Sequence, residues 1–231
     1  MSLLNSKKKA AAILLIRSGS KRILDKNIKN ISGKPLFWHI TKKCLSTPEI
    51  DKIFISVDCD KYQNIVNKFF GNNNNVTVVN RPAELSSDNS KSEESMLYTI
   101  DSIEANGKPY DYYVLVQATN PLTRVSDMSK AIQLIISNTS LNSVFSASES
   151  KRFYLDDIDI LLERPMTQNK SSKLYEVGCF WCVKSSKFKK VKNRIMKPYQ
   201  YILVDEYSAL DIDTKKGMSI VELLLSKEYE L

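Results

Sequence analysis

AAAILLIRSGSKRILDKN, residues Ala10 to Asn27, decides how the rest of the chain is read. Its first part, Ala10 to Ile16, is an unbroken apolar run of the length of a short buried strand. That run empties into Arg17, Ser18, Gly19, Ser20, Lys21 and Arg22, with Lys26 and Asn27 just beyond. A strand that ends in a Gly/Ser turn carrying cations suits phosphate: backbone N–H groups approach the oxygens while Lys and Arg neutralise them. The same residues also suit a surface loop kept soluble by its charge. The ordinary nucleotide P-loop is excluded, because Gly33-Lys34 is followed by Pro35 and not by Ser or Thr.

Outward from this stretch, Pro35 begins PLFWHITKKCL, where Leu36, Ile40 and Leu45 recur at roughly helical spacing behind a proline suited to a helix start. DKIFISVD, Asp51 to Asp58, reads as a second strand, Tyr62 to Phe70 as a helix, Asn72 to Asn75 as a turn and Val76 to Val79 as a third strand. The order β-α-β-α-β predicts a parallel sheet with right-handed crossovers. A polar loop, Asn80 to Ser92, then leads into a helix over Glu93 to Glu104. Tyr112 to Gln117 is apolar enough for a central strand and ends at Ala118-Thr119-Asn120-Pro121-Leu122, placing polar groups at a strand's carboxyl end, where open α/β sheets bind ligands.

Beyond it, Ser126 to Ser137 predicts a helix with Ser126 as N-cap, and Val144 begins another strand. Ser150 to Lys173 lacks steady periodicity and is expected to leave the sheet as a dimerisation arm or lid. The sheet resumes at Gly178 to Val183, Tyr201 to Val204 is a late strand, and Tyr207 to Thr214 opens the last helix. The expectation is a flexible leader over residues 1–9 and a single domain over 10–231, with an arm at about 150–177.

At 231 residues, with 42% hydrophobic and 26% charged residues, the chain is long and apolar enough for one globular α/β domain, and nothing argues for disorder. The net charge of +8 is concentrated in VKSSKFKKVKNRIMK, where Lys184, Lys187, Lys189, Lys190, Lys192, Arg194 and Lys197 meet no acid. Such a run can bind nucleic acid, but it is more often a solvated face, and no base-reading motif accompanies it. Cys179 and Cys182 form a Cys-x-x-Cys, yet they lie in the apolar run GCFWCV, where residues three apart on a strand point to opposite faces; buried structural cysteines are expected. His39 falls inside a helical pattern and reads as a packing or surface residue. Lys7 to Lys9 before a short apolar run only imitate a signal peptide, and no run approaches membrane-spanning length, so a cytoplasmic protein with no membrane association is expected.

Asp211 and Asp213 alternate around Ile212, so in an extended segment both carboxylates face one way. Such a pair beside a phosphate loop suits Mg²⁺, which takes one or two protein carboxylates and completes its shell with water and phosphate. Asp213 as the cap of the final helix is the competing reading, and both can hold.

With these residues assembled, RSGSKRILDKNIKNISGKPL resembles the N-terminal signature of the cytidylyltransferases that make CMP-sugar acids, in particular the CMP-N-acylneuraminate (CMP-sialic acid) synthetases. RPAELSSDNSKS (Arg81 to Ser92), LVQATNPLTR (Leu115 to Arg124) and SALDIDT (Ser208 to Thr214) match in the same order, so the resemblance spans nearly the whole chain. It implies a Rossmann-like, three-layer α/β nucleotidyltransferase fold with a mostly parallel sheet. It further implies Mg²⁺-dependent transfer of CMP from CTP to a nine-carbon 2-keto sugar acid, with release of pyrophosphate. Carried over by position, Arg17, Ser20, Lys21, Lys26 and Asn27 would hold the triphosphate, with Arg17, Lys21 and Asp211 at the chemistry. Arg81, Ser90 and Ser92 would position the nucleoside. Gln117, Thr119 and Asn120 would face the sugar acid, and Asp211 with Asp213 would hold the metal. Arg164 or Lys170 in the arm would supply a cation for the acid's carboxylate, and in the sialic acid branch the arm reaches a neighbouring subunit, which implies a homodimer.

The chain departs from the family pattern in two places. Tyr175-Glu176-Val177-Gly178 stands where an Asn-Gly is usual, and the 151–175 segment is shorter than in the sialic acid type. The Gly-Asp-Glu-Pro of the CMP-Kdo synthetases is replaced by Ala118-Thr119-Asn120-Pro121, which favours a nonulosonic acid such as sialic, legionaminic or pseudaminic acid over Kdo. A transferase for another nucleotide and a basic nucleic-acid-binding protein are the alternative readings.

Overall fold

The computed structural model describes residues 10–227 apart from positions 108 and 157. In chain order its elements are β1 (Ala10–Leu15), the two-residue strands β2 (Asn30–Ile31) and β3 (Lys34–Pro35), α1 (Leu36–Leu45), β4 (Ile50–Val57), α2 (Asp60–Phe70) and β5 (Val76–Asn80). There follow α3 (Ser92–Ala105), β6 (Tyr112–Val116), α4 (Val125–Ser137), β7 (Ser143–Ser150), α5 (Ile158–Glu163), β8 (Lys173–Lys184), α6 (Ser185–Val191), β9 (Tyr199–Leu203) and α7 (Lys215–Ser226). Short 3-10 turns occupy Lys26–Ile28, Ala83–Ser86 and Thr167–Asn169.

The main sheet has seven strands in the order β5-β4-β1-β6-β8-β7-β9. β1 sits between β4 and β6 and runs parallel to both, which is why its residues are apolar on both faces. Ala10, Ala12 and Leu14 join one core layer with Leu36, Phe37 and Ile40 of α1 and Met128, Ala131 and Ile132 of α4. Ala11 and Ile13, pointing the other way, pack with Met96, Ile100 and Ile103 of α3 and Phe188 of α6. The alternation of side chains along one buried strand thus organises three layers, helix, sheet and helix, as expected.

Every pairing in the main sheet is parallel except those of β8, which runs against both β6 and β7. β8 also begins at Lys173, earlier than the predicted Gly178, and its first residues pair with the end of β7 as far as Ser150↔Lys173. That extension was missed because Lys173 to Glu176 are exposed and carry no core-facing alternation. The predicted irregular arm therefore contains paired strand at both ends, with α5 and the turn at Thr167–Asn169 between them.

The register of β7 on β8 shifts between Phe145 and Ala147, whose partners are Trp181 and Glu176. Within the shifted stretch the period of two fails, and Cys179 and Cys182 enter the same core layer, correcting the expectation of opposite faces. Both are buried free thiols, as expected. Gly178 lies there too: a Cβ would stand 2.7 Å from Asn120 Oδ1 and 2.8 Å from Gln117 Oε1.

Two predicted caps are also corrected. α4 starts at Val125, so Ser126 lies inside its first turn and does not cap it. Thr214 caps α7 by accepting from the Gly217 N–H at 3.0 Å, which leaves Asp213 outside the helix with its carboxylate free of that duty. The leader, residues 1–9, falls outside the described residues. No helix among those described is long and apolar enough to cross a membrane.

Candidate active site

A cavity of about 520 Å³ opens at the carboxyl ends of β1 and β6. Its floor is Leu15, Leu115, Val116 and Ala118; its walls are the basic loop after β1, the loop before α3 and the segment before α7. Here side chains far apart in sequence meet, and the backbone shows how. The Ile212 N–H donates to Thr119 O at 2.9 Å, and Asn120 Nδ2 donates to Leu210 O at 3.1 Å, so the acidic segment is sewn to the end of β6. Ile212, fully buried between its two aspartates, pins the segment inward.

The basic loop is fixed from below. The Ser18 N–H donates to both oxygens of Asp58 at 3.0 and 3.1 Å, and Asn27 Nδ2 donates to Arg17 O at 3.1 Å. Arg81 is buried and braces three segments: its NH2 donates to Ile16 O at 3.1 Å, its NH1 to Ser56 O and its Nε to Ser86 Oγ at 2.8 Å. Burial lowers the Arg81 pKa from its ordinary value, with Asp58 opposing and Arg17 reinforcing that shift.

The loop's cations divide between two walls. Lys21 Nζ lies 2.5 Å and Arg17 NH2 3.4 Å from the Asp88 carboxylate on one side. Arg22 NH1 lies 2.7 Å and Lys26 Nζ 3.3 Å from Asp213 on the other, where Lys26 also donates to Ile212 O at 2.7 Å. The Asp211 carboxyl is pushed above its ordinary value, first by the desolvating cavity wall; a hydrogen bond from Thr119 works against this, the like charge of Asp213 adds to it, and Lys26 and Arg22 oppose it. Two carboxylates close enough to repel, without a third, fit a hard divalent ion such as Mg²⁺; among the described residues no larger cluster of metal ligands exists.

Of the residues singled out from sequence, Arg17, Ser20, Lys21, Lys26, Asn27, Arg81, Ser90, Ser92, Gln117, Thr119, Asp211 and Asp213 all line this cavity. Asn120 lies beneath it, buried, with its Oδ1 unpaired. Arg164 and Lys170 lie elsewhere, in the arm, where both face the Phe153 ring. Lys170 is buried, and its ammonium donates to the carbonyls of Lys151 and Arg152. Sequence reasoning named Arg22 only as one of the loop's cations, and it missed Asp58 and Asp88. The available signal was position: Asp58 ends the strand beside β1, and Asp88 sits inside a stretch already recognised as a motif.

Outside the cavity, His39 is buried and its Nε2 lies 2.9 Å from Ile31 O. Burial lowers its pKa. The basic run carries partners of its own, with Lys189 on Glu104 and Arg194 on Glu93 and Glu176.

A mostly parallel three-layer sheet whose strand ends gather cations opposite an acidic pair is the architecture of the nucleotidyltransferase fold, with its ligand crevice at the carboxyl edge of the strands. Comparison with known proteins narrows this: the chain belongs to the cytidylyltransferase family, whose sequence model matches residues 11–171. A pseudaminic acid cytidylyltransferase of Campylobacter jejuni is 26% identical over 234 residues, covering 96% of this chain and 98% of that protein. N-acylneuraminate cytidylyltransferase B of Danio rerio is 26% identical over 92% of this chain, which spans only 50% of the fish protein. Among solved structures, a CMP:2-keto-3-deoxy-manno-octonic acid synthetase complexed with CTP superposes with a TM-score of 0.73 at 15% identity, covering 96% of this chain and 100% of that one. At that identity the likeness is one of fold.

Proposed function

We propose that this chain transfers CMP from CTP to the anomeric hydroxyl of a nonulosonic, sialic-type sugar acid and releases pyrophosphate, with Mg²⁺ as cofactor. The observation that carries the reading is that Lys21, Arg81 and Asp211, drawn from three distant motifs, line one cavity. The sugar-acid relatives support the acceptor class. The hydroxyl oxygen bonds to the α-phosphorus and gives up its proton to water as the bond from that phosphorus to the bridging oxygen breaks. Negative charge gathers on the departing pyrophosphate, so stabilisation is electrostatic and positional. Arg17 and Lys21 are placed to take up that charge. Ser20, Lys26 and Asn27 shape the phosphate loop, and Ser90 and Ser92 lie on the wall assigned to the nucleoside. Asp211 and Asp213 would hold the metal, whose chemistry is to neutralise phosphate oxygens as a Lewis acid. Gln117 and Thr119 would face the acid.

A homodimer belongs to the same proposal. Leu155, Ile158, Leu162 and Met166 expose 62–85% of their surface along the arm, an apolar display suited to a second copy. Arg164, exposed where Lys170 is not, is the better arm cation for a neighbour's carboxylate. The test is pyrophosphate release with CTP, Mg²⁺ and a panel of sialic, legionaminic and pseudaminic acids and Kdo. Turnover with one nine-carbon acid, lost on chelation, is expected. No release with any acid, or release with UTP in place of CTP, overturns the reading.

A further inference from the structure

The tip of the loop before α3 presents a carboxylate where the proposed ligand would bring a phosphate. Asp88 lies within ion-pair distance of both Arg17 and Lys21, the cations of the basic loop on that side of the cavity. Arg17 also donates to the carbonyls of Ser86 at 3.2 Å and Ser87 at 3.1 Å, so it grips the loop's backbone as well as its acid. The loop is braced internally: the Ser87 and Ser90 hydroxyls lie 2.7 Å apart, and Ser90 Oγ donates to Glu84 O at 2.5 Å. The Asp88 carboxyl is held below its ordinary pKa, chiefly by its hydrogen bond from Lys21. Nothing else holds the Asp88 side chain among the described contacts, and it is 45% exposed.

We propose that Asp88 is an internal competitor for the phosphate chain, occupying Arg17 and Lys21 until a polyphosphate displaces it and retaking them as the polyphosphate product departs. This rests on the triphosphate reading of the cavity. The consequence is that phosphate affinity is set below what the cations alone would give. Two exposed ion pairs are weak enough for a polyphosphate to displace them without a large barrier. They are strong enough to lower phosphate affinity, because an incoming anion must exchange with a carboxylate instead of with water.

The experiment is calorimetric binding of inorganic pyrophosphate and inorganic tripolyphosphate, in metal-free buffer, to the full chain and to Asp88→Asn, Asp88→Ala, Lys21→Ala and Lys21→Ala/Asp88→Asn. Both Asp88 variants are expected to bind roughly three- to tenfold tighter than the parent, as loss of one or two exposed ion-pair competitors implies. The loss from Lys21→Ala should be larger when Asp88 is already neutral than in the parent, because Lys21 is then no longer shared. Under plain long-range charge removal the two changes would combine additively. Polyphosphate binding by the parent with no tightening in either Asp88 variant, or with additive changes, overturns the competitor role alone. No binding to the parent or to any variant overturns it together with the triphosphate reading.

Discussion

The two acidic walls of the cavity are built in opposite ways. The Leu210–Asp213 wall is held by buried backbone bonds to Thr119 and Asn120 and by the burial of Ile212. The Ser86–Ser90 wall is held by side-chain bonds, from buried Arg81 to Ser86 Oγ and from Arg17 to the Ser86 and Ser87 carbonyls, and its half-exposed Asp88 is bridged to Arg17 and Lys21. A group that must keep a metal in place needs the first construction, since its geometry cannot drift. A group that must yield to each incoming nucleotide needs the second. Under the two proposals, the same charge on two loops would do different work because of what lies beneath it.

The comparison breaks most sharply at Asp211. Asp211→Asn should lower pyrophosphate release from CTP by about three orders of magnitude, the scale expected when charge at a phosphoryl-transfer centre is lost. Its melting temperature should not fall. Because the carboxyl is held above its ordinary value, its contribution favours the fold below the unfolded pKa of about 3.9 and is lost as pH rises through the raised value. At neutral pH the ionised group thus opposes folding, and Asn at this position should melt at or above the parent, the gap closing in acid.

Ile212→Ala attacks the anchor beneath the same wall. Urea titration should show a loss of about 2–4 kcal/mol, and turnover should fall with it, because a cavity opens under both aspartates. Leu162→Asp should convert the proposed dimer to monomer in sedimentation while the catalytic fold persists, and a dimer of undiminished stability would sever the arm from assembly. Smallest of all, Asp88→Asn should leave the urea midpoint essentially where it is in the parent, because exposed ion pairs contribute little to stability. A larger loss would mean that the second wall is structural after all.

The contrast also marks what could be read from residues alone. β1 and β6 were legible because a strand buried on both faces must be apolar throughout, and β4 because it leads into a β-rich apolar centre; the motifs at the ends of β1 and β6 followed from that placement. The start of β8 was not, since Lys173 to Glu176 pair outside the core and nothing in their side chains records the pairing. Nor was the direction of β8, because its composition suits either hand of pairing. Asp88 was passed over for a related reason: its partners lie some 70 positions away in sequence, and an acid in a polar loop looks the same with or without them.

The cysteines offer a last use. Cys44, Cys179 and Cys182 are shut inside one core layer, and burial raises their thiol pKa values, to about 12 for Cys44 and about 11 for Cys179. The reactive thiolate is therefore nearly absent while the chain stays closed. Alkylation of these sulfurs becomes a clock for transient opening, with half-buried Cys59 as the fast reference. Adding CTP should slow that clock, which would report nucleotide capture through sulfurs that do not line the cavity.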